Sequence, residues 1–239
     1  NLSFEAREGL VKRCPPEQAA RLGVIGQRFI DGTQPSLEAQ LTNIADEIAY
    51  NSHDVDDGLR AGLLDLEQLL SVDWIAELHA QALERHPRLS GRRLVYRIVR
   101  DLIASQVHDL IEASQDRIRA AAPASPDAVR QLDQPLLGFS TGMQTRHRSL
   151  KRFLFDQLYC HYRVHRMTTK SAQVVRELFT TLMGDWRLLP PQYRLAAEAR
   201  KAERGERGQA RVVADYIAGM TDRFALDEHE RLLTPKRLP

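Results

Sequence analysis

Apolar residues recur every three or four positions along nearly the whole of this 239-residue chain, and this periodicity constrains its fold most strongly. One long candidate helix has five apolar residues close to a single stripe along its surface, namely Leu94, Ile98, Leu102, Val107 and Ile111. Such spacing is typical of a helix that buries one face, whereas a half-buried strand alternates every second residue. The sequence has no run of alternating β-branched residues. The pattern therefore predicts an all-α protein.

The segment 122–144 is the best candidate for a connection between two helical parts. It contains APASPD and GFSTG, and clusters of proline, serine and glycine favour loops. We therefore predict three parts, which are residues 1–121, the connecting segment 122–144 and a C-terminal helical region at 145–239.

Composition excludes few classes of partner. Lysine and arginine number 34 against 32 acidic residues, so the net charge does not by itself demand a nucleic acid or a membrane. No run reaches the ~18 apolar residues of a membrane span. Cys14 and Cys160 are the only cysteines, which fits a reducing cytoplasm and no disulfide framework. The first methionine is Met143, so we expect the chain to be a processed or truncated form of a longer protein.

The stretch IADEIAYNSHDVDDGLRAGLL, residues 44–64, has an unusual distribution of charge. At about 100° per residue, one face of the predicted helix carries five polar side chains, Asp46, Tyr50, His53, Asp54 and Asp57. The opposite face carries the apolar side chains of Leu41, Ile44, Ile48, Val55 and Leu59. We expect the apolar face to pack against a core and the polar face to stay accessible.

Two interpretations of the acidic face remain open. Solvated helices usually place lysine or arginine four residues from a carboxylate, yet the nearest cation here is Arg60, at the end of the face. A divalent cation would relieve the repulsion between the carboxylates. Aspartate is a hard ligand suited to Mg or Mn, and imidazole favours Mn, Fe, Co or Ni. The face is either a solvated surface or a site for a metal or a phosphate-bearing ligand.

Four segments together resemble one known family. Residues 45–62, ADEIAYNSHDVDDGLRAG, are similar to the segment that completes the metal site of deoxyguanosine triphosphate triphosphohydrolases, the dGTPase branch of the HD-domain superfamily. Residues 1–13, 150–175 and 215–225 resemble, in the same order, the family's preceding helix, penultimate region and C-terminal signature. The resemblance implies an HD-domain-like helical bundle with a C-terminal helical extension, in which residues 1–121 are the C-terminal part of the catalytic core.

The resemblance also implies an activity and a site. The family hydrolyses a deoxynucleoside triphosphate, dGTP for example, to the deoxynucleoside and tripolyphosphate. Carried over by position, Asp46 would be a ligand of a divalent metal (Mg, Mn, Fe, Co or Ni). Tyr50 would contact the sugar of the substrate, and Asp54 would accept a hydrogen bond from its 3′-hydroxyl. The family's segment resembling HDLGHPPFGH, with the other metal ligands, is not in this sequence, nor is its catalytic histidine. We therefore expect the catalytic residues upstream of Asn1.

The same resemblance implies partners. It predicts a homo-oligomer and admits a nucleotide or a single-stranded nucleic acid as an effector. The cysteine content and the lack of a long apolar run predict a cytoplasmic protein without a membrane partner. The dipeptides His53-Asp54 and His108-Asp109 are not the family's ligand pair, which lies upstream, and we expect His108 to lie at the surface.

Two basic clusters, residues 85–101 and 146–166, support a different interpretation. Arginine forks match phosphate oxygens in pairs, so either cluster could clamp a triphosphate. The second cluster also interleaves Phe155, Tyr159 and Tyr162, a composition that suits single-stranded nucleic acid. Both clusters could equally be solvated, salt-bridged surfaces. A helical nucleic-acid-binding or regulatory scaffold is therefore the alternative to an enzyme.

Overall fold

The computed structural model describes residues 2–234, and this part of the chain contains helices and no β-strand. The α-helices are α1 (Phe4–Leu10), α2 (Pro16–Ala19), α3 (Gln27–Asp31), α4 (Leu37–Arg60), α5 (Leu66–Leu69), α6 (Asp73–Arg85), α7 (Gly91–Ala121), α8 (Pro126–Arg130), α9 (Thr141–Leu154), α10 (Tyr162–Gly184), α11 (Pro191–Arg204), α12 (Glu206–Ala218) and α13 (Asp222–Leu233). Shorter elements are the 3-10 turns Ala20–Ile25 and Trp186–Leu188 and the π-helical turn Phe155–Tyr159. The predicted all-α class is confirmed. In the described part of the chain, no helix combines the length and the apolar run that crossing a bilayer requires.

The described residues pack into two compact units, one ending at His161 and the other beginning at Tyr162. In the first unit, helices α4, α6, α7 and α9 surround one hydrophobic core. Its largest fully buried side chains include Leu69, Ile75, Leu102, Leu150 and Leu154.

Helix α4 begins where its sequence predicts a cap. The hydroxyl of Ser36 accepts a hydrogen bond from the backbone N–H of Ala39 at 3.3 Å, which satisfies one of the free donors of the first turn. Ile48 and Val55 are buried in the core, as the apolar face predicts. Leu41 is 48% exposed, so its assignment to the buried face is wrong. It lies at the edge of the apolar stripe and lines an open apolar groove between α4 and α7.

The buried stripe of α7 departs from the predicted one in its second half. After Leu102 the buried positions are Gln106, Leu110 and Ser114. Val107 and Ile111, which the sequence pattern assigns to the same face, are 40% and 50% exposed. Steps of four residues keep a side chain near the core, whereas a step of five turns it about 100° further around the helix. The assignment of these two residues to the core is therefore wrong.

Residues 122–144 are tethered within the first unit. Arg117 of α7 donates to two backbone carbonyls of the segment at 2.5 and 2.6 Å. Asp109 accepts from the backbone N–H of Ser140 at 2.9 Å and from its hydroxyl at 2.5 Å. Helix α9 follows directly and packs in the same core. The packing boundary therefore falls at residue 161, and the functional division into 1–121 and 145–239 stays a prediction.

The second unit consists of α10 to α13. Leu182, Val213 and Tyr216 are buried in its hydrophobic core. Helices α11 and α12 approach closely at Gly208, where a Cβ atom would lie 2.0 Å from the carbonyl oxygen of Arg200. Only glycine permits this approach.

Candidate functional site

The acidic face of α4 forms one wall of an open groove of about 560 Å³ in the first unit. The segment after α1 provides a second wall, and α9 with the π-helical turn provides the third. The groove is lined by Lys12, Arg13, Asn43, Asp46, Glu47, Tyr50, Asn51, Lys151, Leu154, Phe155 and Tyr159. Of the predicted site residues, the structure therefore places Asp46 and Tyr50 in this groove.

A buried ion cluster fixes the helix that precedes the second wall. Glu8 of α1 is 1% exposed. Its carboxylate accepts two hydrogen bonds from Arg130, at 2.7 and 3.1 Å, and one from the backbone N–H of Ser36 at 3.1 Å. The Nε of Arg28 lies 3.3 Å from the same carboxylate. Burial raises the pKa of Glu8, but the hydrogen bonds from Arg130 and Ser36 outweigh it, so this pKa lies below its usual value. The ionised carboxylate thereby ties α1 to the start of α4.

Cations from other elements neutralise the carboxylates of α4. The Nζ of Lys12 lies 2.5 Å from Oδ2 of Asp46, and the two side chains are 39% and 64% exposed. The Nζ of Lys151, on α9, lies 2.5 Å from Oε1 of Glu47. The absence of lysine from α4 therefore does not demand a metal, because tertiary packing supplies the missing cations.

Asp54 lies at the margin of the groove, where the hydroxyl of Tyr159 donates a hydrogen bond to its Oδ2. Burial raises the pKa of the Tyr159 phenol, and hydrogen bonding with Asp54 and Tyr50 raises it further. The phenol therefore keeps its proton at neutral pH and acts as a donor. Asp46, Tyr50 and Asp54 follow one another along α4, and Tyr159 joins the last two.

A close helix contact positions the π-helical turn that carries Tyr159. A Cβ atom at Gly58 of α4 would lie 2.7 Å from Cδ1 of Leu64 and 3.3 Å from Cδ1 of Leu158. Leu158 belongs to the turn and is buried. Glycine at position 58 therefore lets the turn approach α4 closely enough for the phenol to reach Asp54. Single π-turns of this kind occur frequently at functional sites.

A neutral histidine supports the floor of the groove. Asn51 Nδ2 donates to Nε2 of the buried His147 at 2.7 Å, so that ring nitrogen must be the acceptor. The other ring nitrogen faces Glu47 at 4.0 Å. Burial lowers the pKa of His147, although the charge of Glu47 opposes the shift. The neutral imidazole holds Asn51, which lines the groove, in a fixed orientation.

The described residues do not form a metal centre by themselves. Within residues 2–234, no three His, Cys, Asp or Glu side chains come together in a group that could hold a metal ion. Asp46 offers the hard carboxylate oxygens that Mg or Mn prefers, but Lys12 engages its Oδ2. The assignment of Asp46 as a metal ligand stays a prediction, and it requires donors from outside the described residues.

The histidines of the two His-Asp dipeptides lie elsewhere. His53, predicted on the polar face, lines a groove between α4 and α7 and not the groove of Asp46. His108 is exposed at the surface, as expected, with its Nε2 3.3 Å from Oε1 of Glu112.

Sequence reasoning missed the groove residues that α4 does not carry. Lys12 and Arg13 belong to a segment that the resemblance includes without giving it a role. Lys151 and Tyr159 belong to the second basic cluster, but nothing in their local pattern indicates that they face α4. Only the packing of α1 and α9 against α4 brings them to the carboxylates.

Comparison with known proteins identifies relatives that are similar in sequence to this chain. Residues 137–231 match the model of a phosphohydrolase-associated domain. Over 97% of its length, the chain is 53% identical to a deoxyguanosinetriphosphate triphosphohydrolase-like protein of Bordetella pertussis. Similarly named proteins of Thiobacillus denitrificans and Nitrosomonas europaea are 48% and 47% identical over the same share of the chain. The chain spans 58%, 59% and 60% of the length of these three relatives.

Proposed function

We propose, starting from the chain's membership of the deoxyguanosinetriphosphate triphosphohydrolase-like family, that it contributes part of the active site of a metal-dependent hydrolase. The enzyme would convert a deoxynucleoside triphosphate, with dGTP as the first candidate, to the deoxynucleoside and tripolyphosphate. The observation that supports this proposal most strongly is that the acidic face of α4 and three cations from other elements line the same groove. The names of the relatives favour this function over a non-catalytic nucleic-acid scaffold.

The groove has the charges that a nucleoside triphosphate needs. Lys12, Arg13 and Lys151 supply three cations around a volume of about 560 Å³. Arginine and lysine donate charge-assisted hydrogen bonds to phosphate oxygens, which are stronger than hydrogen bonds between neutral groups. We assign the triphosphate to this cationic side. Lys12 and Lys151 would exchange their carboxylate partners for phosphate when the substrate binds.

The sugar would lie along the opposite edge, beside Tyr50 and Asp54. Tyr159 occupies Oδ2 of Asp54, which leaves Oδ1 to accept a hydrogen bond from the 3′-hydroxyl. The same contact orients the carboxylate, so Tyr159 would act as a positioning residue. Tyr50 is 58% exposed, and its ring is available to lie against the deoxyribose.

Among the described residues, Asp46 is the one that we propose as a ligand of a divalent metal. When bound, such an ion supplies Lewis-acid activation of a phosphoryl group and of water. Asp46 would provide one ligand, and the remaining donors must come from outside the described residues. The proposal leaves the choice among Mg, Mn, Fe, Co and Ni open. A homo-oligomer in a reducing cytoplasm also remains part of the proposal.

The test uses the complete protein and two carboxylate variants of α4. Asp46→Asn keeps the shape of the side chain and removes its charge, so metal content and kcat should both collapse. Asp57→Asn is the matched control, because Asp57 is exposed on the same helix and does not line the groove. It should retain normal metal content and rate. If Asp46→Asn kept stoichiometric metal and a near-normal rate, the assignment of Asp46 to the site would be wrong.

A further inference from the structure

Asn51 is the only buried polar residue among those that line the groove of Asp46. The residue is 4% exposed, and its Nδ2 donates a hydrogen bond at 2.7 Å to Nε2 of His147, which is 6% exposed. Within residues 2–234, Oδ1 of Asn51 has no hydrogen-bond partner. A buried carboxamide normally pairs both its donor and its acceptor. The acceptor of this side chain is therefore unused.

The unpaired oxygen is open to the groove. Three other acceptor oxygens in the described part of the chain lack a partner and are sealed from solvent, and they belong to Asn43, Asp56 and Gln106. Oδ1 of Asn51 is not sealed in this way, and the residue lines the groove. A ligand in the groove can therefore reach this acceptor.

The charges around His147 fix which end of the carboxamide faces the groove. Nδ1 of the ring faces the carboxylate of Glu47 at 4.0 Å, and a neighbouring carboxylate favours the proton on that nitrogen. Nε2 is then the acceptor and takes the N–H of Asn51. The ring itself packs against Phe139, with 5.3 Å between the ring centroids. Oδ1 of Asn51 is thus oriented before any ligand arrives, so binding loses less conformational entropy.

Hydrogen-bond donors are few in the proposed substrate. The ionised oxygens of a triphosphate only accept hydrogen bonds, and the single hydroxyl of the deoxyribose is assigned above to Asp54. The base is the remaining part, and guanine presents a ring N–H and an exocyclic amine side by side. The donor for Oδ1 of Asn51 must therefore come from the base.

The α9 side of the groove offers a surface for a flat ring. Phe155, at the start of the π-helical turn, lines the groove and is 59% exposed. An exposed phenyl ring leaves apolar surface in water, and aromatic side chains stack on nucleobases. A base lying against Phe155 would cover that surface.

We propose, building on the function proposed above, that Oδ1 of Asn51 accepts a hydrogen bond from an N–H group of the substrate's base, with guanine as the first candidate. The base would lie on the floor of the groove, between α4 and α9, and Phe155 would cover one face of its ring. Asn51 then acts as a specificity-determining residue. His147 does not touch the substrate and acts as a positioning residue for Asn51.

The test compares two substrates of the complete protein, which are dGTP and the deoxynucleoside triphosphate of unsubstituted purine, whose base has no N–H donor. In the wild type, the unpaired acceptor should lower kcat/KM for the purine substrate by about tenfold or more. Asn51→Leu keeps the size of the side chain and removes the acceptor, so this preference for dGTP should shrink by about tenfold. The inhibition constant of tripolyphosphate, which has no base, should stay at its wild-type value.

A second variant controls for a loss of structure. Asn51→Leu leaves Nε2 of His147 buried without a donor, whereas the double variant Asn51→Leu, His147→Phe replaces both partners with apolar groups, which can be nearly neutral for stability. The double variant should show the same reduced preference for dGTP. Gln192→Leu removes a carboxamide from an exposed position of the second unit and should keep the wild-type preference.

The possible results distinguish the base subsite from the hydrolysis on which it rests. An unchanged preference for dGTP in an active double variant would overturn the base subsite and leave the hydrolysis in place. Weaker inhibition by tripolyphosphate, with equal losses for both substrates, would overturn the base subsite in favour of a structural role for Asn51. A wild type that turns over no deoxynucleoside triphosphate would overturn both.

Discussion

The Nζ of Lys12 meets Oδ2 of Asp46 at 2.5 Å, which joins the segment after α1 to the middle of α4. The contact places a cation beside the carboxylate that the resemblance assigns to a metal. Because both side chains are exposed to solvent, the solvent screens their attraction, and such pairs contribute only about 0–1 kcal/mol to stability. The pair is therefore weak enough to exchange when a phosphate or a metal enters the groove.

We expect Lys12→Met to weaken substrate binding more than it weakens the fold. The free energy of unfolding should fall by no more than about 1 kcal/mol. The loss of one charge-assisted contact to phosphate, worth about 1.5–3 kcal/mol, should raise KM in the complete protein by about tenfold or more. Urea denaturation and steady-state kinetics measure the two effects. Lys170→Met, at an exposed position of α10, is the control. A destabilised protein with unchanged KM would show that Lys12 has only a structural role.

The Glu8 cluster predicts a large effect on stability. Glu8→Gln leaves Arg130 and Arg28 beside a neutral side chain in a buried site, and breaking a buried ion pair in this way costs about 3–5 kcal/mol. Glu17→Gln, at an exposed position in α2, should change stability by no more than about 0.5 kcal/mol. Chemical denaturation of the two variants checks this difference. Similar stabilities would contradict the role given to the cluster.

The same carboxylate predicts how stability depends on pH. The pKa of Glu8 in the folded protein lies below its ordinary value of 4.5, so the unfolded chain binds a proton more readily. The stabilisation is complete above about pH 4.5 and is lost as the pH falls through the lower, folded pKa. We expect wild-type stability to decline more steeply than that of Glu8→Gln in this acidic range. Parallel curves from denaturation at several pH values would exclude Glu8 as a source of the acid sensitivity.

Sugar recognition separates the roles of Asp54 and Tyr159. A dideoxy substrate would leave a carboxylate oxygen desolvated and unpaired, at a cost of about 1–3 kcal/mol, so kcat/KM should fall by at least about tenfold. Asp54→Ala should erase this penalty. Tyr159→Phe keeps the carboxylate of Asp54, so this variant should retain most of the penalty for the dideoxy substrate. If the wild type and Asp54→Ala had the same ratio of kcat/KM for the deoxy and dideoxy substrates, the acidic face of α4 would be a solvated surface and not a sugar-binding site.

Periodicity and spacing were sufficient for the helical class and for the shared edge of Asp46, Tyr50 and Asp54. Both follow from local geometry, because a spacing of four residues nearly completes one helical turn. The same local geometry misassigned Val107 and Ile111, since the true stripe continues from Leu102 in steps of four. An error of one residue was enough to turn both side chains away from the core.

The partners of the acidic edge could not be predicted in this way. Lys12, Lys151 and Tyr159 reach α4 from segments distant in sequence. The position of Lys12 depends on the Glu8 cluster, and that of Tyr159 on the close approach at Gly58. Neither dependence leaves a periodic signal. The absence of lysine in α4 indicated correctly that the carboxylates need cations, but it could not identify the cations that supply them.

The proposed function requires the complete protein to cleave a deoxynucleoside triphosphate so that its three phosphates leave as one product. Phosphorus NMR of a reaction with dGTP and a divalent metal tests this most directly, because tripolyphosphate, pyrophosphate and orthophosphate give separate signals. We expect tripolyphosphate and deoxyguanosine in equal amounts from the wild type, and neither product from Asp46→Asn. Orthophosphate or pyrophosphate as the first product, or no turnover of any deoxynucleoside triphosphate, would contradict the account.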